Sequence, residues 1–210
     1  MKEILIYKDI GDSMFGDTVT AESISEQLNA AEGDSIDLRI NSNGGSVFEG
    51  FAIYNLIDQY EGEVHVYIDG IAASIASVIA MAGDTINMAK NSRLMIHNAY
   101  GGVLGDAKEM RQTADLLDSL TDTIAQSYAD KSEGSKDDFL ALMALETWYT
   151  AEQSVEAKLA TKVIERKAEF NNKGACPWII NAPDTAETVA EANQAFLAVQ
   201  KRKLKLLADA

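Results

Sequence analysis

The chain has 210 residues, of which 47% are hydrophobic, and a formal net charge of −15. This composition is ordinary for a globular protein and supplies enough apolar side chains for the core of one compact domain. The acidic excess argues against nucleic acid as a partner, because phosphate binding needs clustered lysines and arginines. The one dense basic run, 201–205, is interpreted as a solvated helix end.

The sequence also lacks the marks of a membrane or secreted protein. No stretch approaches the roughly 20 uninterrupted apolar residues that a transmembrane helix needs. The first four residues do not begin the apolar run of a secretory signal. One cysteine, Cys176, cannot form an internal disulfide, which is typical of a reducing compartment. We therefore expect a cytoplasmic protein without a membrane partner.

Strand and helix patterns alternate in the first half of the chain, which predicts an α/β fold with a largely parallel sheet. Thr20 is a predicted helix cap, and Phe48, Ala52 and Leu56 share one face of a second helix. The predicted elements, in order, are a strand at 4–7, a helix from Thr20 to Gly33, a strand at 36–40, a helix over 48–57 and a strand at 64–68.

The run 70–80 is apolar on all sides and rich in small residues, which predicts a helix that is buried all round. Thr150 and Gln153 have the spacing of a capping box, so a helix is predicted to start at Ala151. The remaining elements are short strands at 85–88 and 93–97, a long helix over 106–129 with Met110, Leu117, Ile124 and Tyr128 on its apolar stripe, and a helix over 136–145.

The character of the sequence changes after about residue 168. Two prolines mark a connector, and 185–207 then have a helical pattern in rough heptad register. This segment is too weakly apolar to form a core alone, so we expect it to dock on the domain or on a neighbouring subunit. The predicted organisation is a domain over 1–167, followed by a connector and helical extension over 168–210.

The histidines narrow the search for catalytic chemistry, because the chain has only two. His65 lies inside a predicted strand, where a packed structural residue is the favoured interpretation. His97 ends a strand and precedes a glycine-containing loop, the place where α/β folds present reactive groups. Two histidines far apart in sequence and one cysteine make no ligand cluster, so neither a metal nor a cofactor is expected.

Ser74 follows a strand and Gly70, at a position where a serine can present its hydroxyl group at a helix N-terminus. Taken alone, Ser74 and Ser77 are better interpreted as small residues in a tightly packed helix. Gly44 and Gly45 end a strand-to-helix turn and could expose backbone amides. The same pattern occurs in any tight turn, and the lysine of a phosphate loop is absent.

Together, four segments resemble the Clp protease proteolytic subunit family over roughly residues 15–167. The segment at 40–47, INSNGGSV, is similar to the family's N-S-P-G-G segment, and 70–77, GIAASIAS, to its G-x-A-A-S-M nucleophile region. NSRLMIH at 91–97 resembles the histidine segment. WYTA at 148–151 is similar to the stretch that precedes the family's last strand.

The resemblance implies a serine peptidase that works through an acyl-enzyme on a polypeptide substrate. Ser74 would be the nucleophile and His97 the general base. The amides of Ile75 and of Gly45 or Gly44 would form the oxyanion hole. The resemblance also implies stacked ββα units of the ClpP/crotonase type, a ring-like homo-oligomer, and a handle role for the long helix.

The family's acid falls at Glu146, where an aspartate is expected. Because glutamate is one methylene longer, it must use a different rotamer to orient the imidazole. Asp84 and Asp106 are the fallback candidates. Asn43 replaces the family's proline, which loosens the turn but keeps its amides.

The start of the chain and the segments at 71–84 and 95–98 most resemble the phage head-maturation proteases of this family. The expected function is therefore ATP-independent cleavage of scaffold or capsid protein, in the host cytoplasm. Four alternatives remain open: a housekeeping subunit working with an AAA+ unfoldase, a crotonase-like acyl-CoA enzyme, a catalytically silent assembly protein, and a Ser-Lys peptidase.

Overall fold

The computed structural model describes residues 2–11 and 18–165, and the predicted connector and C-terminal helix lie outside these residues. In chain order the elements are β1 (Lys2–Ile6), α1 (Ala21–Asn29), β2 (Ile36–Ser42), α2 (Val47–Asp58), β3 (Val64–Ala73), α3 (Ile75–Ala80), β4 (Thr85–Ala89), β5 (Arg93–Ile96), α4 (Ala107–Lys131), α5 (Lys136–Ala144), β6 (Thr147–Thr150), α6 (Ala151–Glu156) and β7 (Lys162–Ile164).

The strands form one seven-stranded sheet whose main path runs β1-β2-β3-β4-β7, with every pair on it parallel. This confirms the predicted α/β class with a largely parallel sheet. On one of its sides, strand β3 pairs with two different strands. Its first part pairs with β4, and its last residues, Ile71 to Ala73, pair with β5. Strand β6 then adds to β5 in the antiparallel direction.

Alternate side chains of the strands are buried and form the core with the helices. The buried positions of β2 follow the period of two expected for a strand with one covered face, from Ile36 through Leu38 to Ile40. Helix α1 contributes Ile24 and Leu28 to the same core. Full burial of an aliphatic side chain of this size contributes about 1.5–3 kcal/mol.

Both predicted helix starts are confirmed in detail. The Oγ1 atom of Thr20 accepts from the amide of Ser23 at 3.2 Å, in a capping box at the start of α1. At α6, Thr150 Oγ1 accepts from the Gln153 amide at 3.2 Å, and the Gln153 side chain accepts from the Thr150 amide at 2.8 Å. A cap of this kind contributes about 1 kcal/mol.

The prediction of a helix over 70–80 is wrong in its first part. Residues up to Ala73 continue strand β3, and α3 begins only at Ile75. The reason is that Ala72 pairs with Ser42 of β2 on one side and with Leu94 of β5 on the other. Ala72 and Ala73, whose side chains lie on opposite faces of the sheet, are both buried. A continuous apolar run is typical of such a strand as well as of a buried helix.

The faces of two helices also differ from the pattern. In α2 the buried side chains are Ile53 and Ile57, while Phe48 is 63% exposed. In α4 only the C-terminal half packs against the core, and Met110 is 49% exposed. The apolar stripe of α4 therefore contributes to two different surfaces, one buried and one exposed. None of the helices within residues 2–11 and 18–165 is long and apolar enough to cross a bilayer.

Candidate active site

Ser74 lies in the turn between β3 and α3, in a backbone conformation that is rare for a residue with a side chain. Its φ is 56° and its ψ is −131°. The conformation is held from both sides, because the Ser74 amide donates to the carbonyl of Met95 at 3.0 Å and the Ser74 carbonyl accepts from the Ser77 amide at 3.0 Å. Strain of this kind costs on the order of 1–3 kcal/mol and clusters at functional sites.

His97 follows the last residue of β5 and meets Ser74 directly. Since Ala73 pairs with Met95 in parallel strands, β3 and β5 end at the same edge of the sheet. There the imidazole Nε2 atom lies 2.7 Å from Ser74 Oγ. That distance is within reach for proton transfer from a hydroxyl group to a neutral imidazole.

Burial determines the charge state of the imidazole. His97 is half-buried, and the loss of solvation lowers its pKa from the ordinary value of 6.5. The negative charge of Glu146 acts in the opposite direction, but more weakly. The lowered pKa favours the neutral form of the side chain, which is the form that can accept a proton.

Glu146 lies close to His97 but is not hydrogen-bonded to it in the described part of the chain. It immediately precedes β6, and Ile96 of β5 pairs with Thr147 of β6. One step further along this antiparallel ladder are His97 and Glu146. The Glu146 carboxylate instead accepts a hydrogen bond from the indole Nε1 of Trp148 at 3.2 Å. The backbone of Glu146 has a positive φ of 49°.

The fallback acids are engaged elsewhere. Asp84 accepts from the amide of Val64 at 2.7 Å, where β3 begins. Asp106 caps helix α4, where its carboxylate accepts from the amides of Lys108 and Glu109. Of the three candidates, Glu146 is the one whose charge acts on His97.

Two backbone amides beside Ser74 have no hydrogen-bond acceptor within the described residues, those of Ile75 and Gly45. Ile75 is the first residue of α3, and the amides of a first helical turn have no partner within the helix. The Gly44 amide differs, because it donates to Ser42 Oγ at 3.1 Å. The geometry thus favours Gly45 over Gly44 as the second donor.

The glycines of this turn are needed for close approach. Gly44 has φ of 101°, and a Cβ atom there would lie 2.8 Å from both the Ala73 carbonyl oxygen and Ser74 Cβ. Gly45 has φ of 149°, and a Cβ atom there would collide with the carbonyl oxygen of Ile10. That carbonyl accepts the Ser46 amide at 2.8 Å, which fixes the turn to the segment after β1.

Ser74 and His97 open onto a cleft of about 210 Å³. Its other lining residues are mostly apolar: Gly45, Val47, Asn98, Ala99, Tyr100 and Ile124. The backbone beyond His97 is fixed to α4, since the Ala99 amide donates to Thr121 Oγ1 at 3.1 Å. The cleft therefore presents a hydroxyl group, an imidazole and the glycine turn at Gly45, whose amide has no acceptor among the described residues, beside a mostly apolar wall.

Sequence reasoning missed one part of this region, a buried polar contact behind Ser74. Ser77 Oγ lies 2.7 Å from the hydroxyl oxygen of Tyr128, and both residues have no exposed surface. The pattern had given Tyr128 only as a member of an apolar stripe and Ser77 only as a small residue. A tyrosine on the buried face of a helix, opposite a serine in a buried run, was the available signal.

The second histidine is not part of this site. His65 Nδ1 lies 3.0 Å from Thr85 Oγ1 of the neighbouring strand β4, and its Nε2 lies 3.7 Å from Glu63. His65 is thus a partly exposed strand residue that contacts the neighbouring strand. This agrees with the structural role that the sequence analysis favoured.

Comparisons with known proteins agree with this fold. The family described as Clp protease matches residues 2–167. The ATP-dependent Clp protease proteolytic subunit of Bacteroides fragilis is 32% identical over 157 residues, which cover 72% of this chain and 76% of the relative. Proteolytic subunit 1 of Bacillus cereus is 32% identical over 166 residues, covering 78% and 85% respectively.

A solved structure of a ClpP1 mutant from Listeria monocytogenes has a TM-score of 0.68 with 24% identity, and the match covers 79% of this chain and 92% of that one. At this identity the likeness concerns the fold. The family match and the curated relatives together place the chain in the Clp protease family of serine peptidases.

Proposed function

We propose that this chain is a serine endopeptidase in which Ser74 is the nucleophile and His97 the general base. The observation that carries the proposal is the distance of 2.7 Å between His97 Nε2 and Ser74 Oγ. The lowered pKa of His97 supports it, because a neutral imidazole can take the hydroxyl proton. The strained backbone of Ser74 supports it as well, because it resembles the turn on which other serine hydrolases present their nucleophile.

The reaction is acyl transfer. His97 removes the proton from Ser74, whose oxygen attacks the carbonyl carbon of the substrate's peptide bond. The amides of Ile75 and Gly45 stabilise the negative charge that develops on the carbonyl oxygen, each by on the order of 3 kcal/mol. The protonated His97 then gives its proton to the leaving amine, and water releases the acyl group by the same steps in reverse.

Glu146 is proposed as the third member of the triad. Its charge favours the protonated form of His97, which is the form that appears during the reaction. To orient the imidazole, its carboxylate must turn an oxygen atom toward His97, whereas in this structure its Oε1 accepts a hydrogen bond from Trp148. The site is thus proposed to have a formed serine–histidine pair and an acid that joins them on rearrangement.

The test is intact-mass spectrometry after treatment with a fluorophosphonate. Wild type is expected to gain one adduct, which is lost in Ser74→Ala and His97→Ala. His65→Ala is the matched control, because it removes the other histidine and leaves the cleft untouched. Absence of an adduct on folded wild-type protein would contradict the proposal and favour a silent assembly protein.

For the substrate, we propose scaffold or capsid protein of a phage head, cleaved without an ATPase by a ring-like homo-oligomer. The segments at 71–84 and 95–98 support this, since they most resemble the head-maturation branch of the family. The exposed apolar side chains on the outward half of α4, Met110 and Leu116, support assembly through that helix. The residues at 168–210 are proposed to bind the assembly partner.

A second candidate is the proteolytic subunit of an ATP-dependent protease, because the curated relatives are ATP-dependent Clp protease proteolytic subunits. The two functions differ in their need for an unfoldase. Degradation of a stably folded protein only in the presence of an AAA+ partner and ATP would support the second candidate. Cleavage of purified scaffold protein by this chain alone would support the first.

A further inference from the structure

Two buried hydroxyl groups lie behind Ser74, on the side away from the cleft. Ser77 belongs to α3 and Tyr128 to α4, and neither side chain has exposed surface. Their oxygen atoms are 2.7 Å apart. Neither residue lines the cleft, so neither can touch a peptide bound there.

The direction of the hydrogen bonds follows from the acceptors present. Ser77 Oγ lies 2.6 Å from the carbonyl oxygen of Ser74 and 3.0 Å from that of Met95. Carbonyl oxygens only accept, so the single hydroxyl proton of Ser77 is directed toward them. Tyr128 must then be the donor in its contact with Ser77, which is the one partner of its hydroxyl group among the described residues.

This chain of hydrogen bonds ends on the backbone of both candidate catalytic segments. The Ser74 carbonyl accepts from the amide and from the hydroxyl group of Ser77. The Met95 carbonyl lies on β5, two residues before His97, and accepts from the Ser74 amide as well as facing Ser77. Ser77 therefore ties the turn that carries Ser74 to the strand that leads to His97.

We propose that Ser77 and Tyr128 are positioning residues, which hold the strained backbone of Ser74 so that its hydroxyl group stays in line with His97. The inference rests on the proposed function, in which Ser74 is the nucleophile. A strained conformation persists only when its surroundings fix it from several directions. Here α3 supplies the hydroxyl group, and α4 supplies the donor that orients it.

A purely structural role would make a different prediction. Ser77→Ala alone leaves the Tyr128 hydroxyl buried without a partner, which lowers stability. Adding Tyr128→Phe removes the orphaned group, so the thermal stability of the double variant is expected to recover. If the pair acts only through stability, acylation recovers with it. If the pair positions Ser74, acylation stays slow.

The experiment measures acylation by a fluorophosphonate at several reagent concentrations, which separates the maximal rate constant kinact from the binding constant KI. Tyr128→Phe is expected to lower kinact by roughly threefold to tenfold and Ser77→Ala by roughly ten- to a hundredfold, because small displacements of reacting groups are costly. KI is expected to stay within about twofold of wild type, since the cleft is unchanged. The double variant is expected to have the kinact of Ser77→Ala with a higher Tm.

Tyr149→Phe is the matched control. It removes another largely buried tyrosine hydroxyl, 8% of that residue being exposed, and leaves the contact between Ser77 and Tyr128 intact. Wild-type kinact in Tyr128→Phe and Ser77→Ala, or recovery of kinact together with Tm in the double variant, would overturn the inference alone. Wild-type protein that forms no adduct at Ser74 would overturn the proposed function, and the inference with it.

Discussion

His97 and Glu146 occupy facing positions just beyond the last residue pair of the β5–β6 ladder, in which Ile96 pairs with Thr147. The antiparallel addition of β6 to an otherwise parallel sheet is what brings these two side chains, distant in sequence, to the same edge. Their proximity is set by the backbone and does not depend on the rotamer of the acid. The rotamer instead determines whether the carboxylate contacts the imidazole or the indole of Trp148.

Replacement of Glu146 by glutamine is expected to change the pH dependence of acylation as well as its rate. The Glu146 charge raises the pKa of His97, so its removal lowers that pKa and moves the acid limb of the rate profile to lower pH. The rate constant on the plateau is expected to fall by about tenfold, which is less than the roughly 10²–10⁴-fold typical of a full general-base contribution.

Glu146→Asp is the control for Glu146→Gln, because aspartate keeps the negative charge and is the residue expected in the family. It is expected to retain the acid limb of the wild type. An acid limb and a plateau that are both unchanged in Glu146→Gln would exclude Glu146 from the triad.

The wild-type pH profile follows from the burial of His97. Because burial lowers its pKa, we expect the acid limb of kinact/KI to have its midpoint below pH 6.5. The same shift affects stability. The unfolded chain binds the proton more readily, so the free energy of unfolding rises with pH between the folded-state pKa and about 6.5. A midpoint above 6.5 would show that another group controls the reaction.

Trp148→Phe tests whether the indole holds the acid away from the imidazole. The variant removes the donor at 3.2 Å from Glu146 Oε1 while keeping an aromatic ring on an exposed position of β6. With its carboxylate released, Glu146 is expected to act more strongly on His97, which raises the pKa of His97 and moves the acid limb upward. On the plateau above that limb, acylation is expected to be at least as fast as in wild type, and a rate reduced at every pH would contradict this account.

Gly45→Ala tests the turn that presents the second free amide. The added Cβ atom would collide with the Ile10 carbonyl, so the turn must shift and acylation is expected to fall by roughly 10²–10³-fold, as for loss of an oxyanion donor. Gly33→Ala is the matched control, since Gly33 also has a positive φ but nothing lies within 4 Å of its Cβ position. The control is expected to lose about 1 kcal/mol of stability and no activity.

Much of the fold could be predicted because local rules and tertiary structure agree along most of the chain. The caps at Thr20 and Thr150 are examples, since each accepts from a first-turn amide that has no partner within its helix. The segment from Gly70 to Ala73 could not be assigned in this way. A strand buried on both faces and a helix buried all round have the same composition, and pairing with β5 decides between them.

The candidate site was predictable to the extent that it depends on order along the chain. The sequence placed Ser74 and His97 at the ends of elements, and the structure brings them to hydrogen-bonding distance. The engagement of the Gly44 amide by Ser42, the contact of Glu146 with Trp148 and the pair behind Ser74 all depend on where side chains turn. No spacing rule contains that information.

The backbone conformation of Ser74 determines which residue this position would favour if catalysis were not required. At φ of 56° and ψ of −131°, glycine is the residue that relieves the strain, so Ser74→Gly is expected to melt at a higher temperature than Ser74→Ala. In a protein with only an architectural role, exchange of this serine for glycine would raise the stability, and no loss of activity would select against the exchange. A serine at this position therefore costs stability, a cost that a functional role for its hydroxyl group would offset.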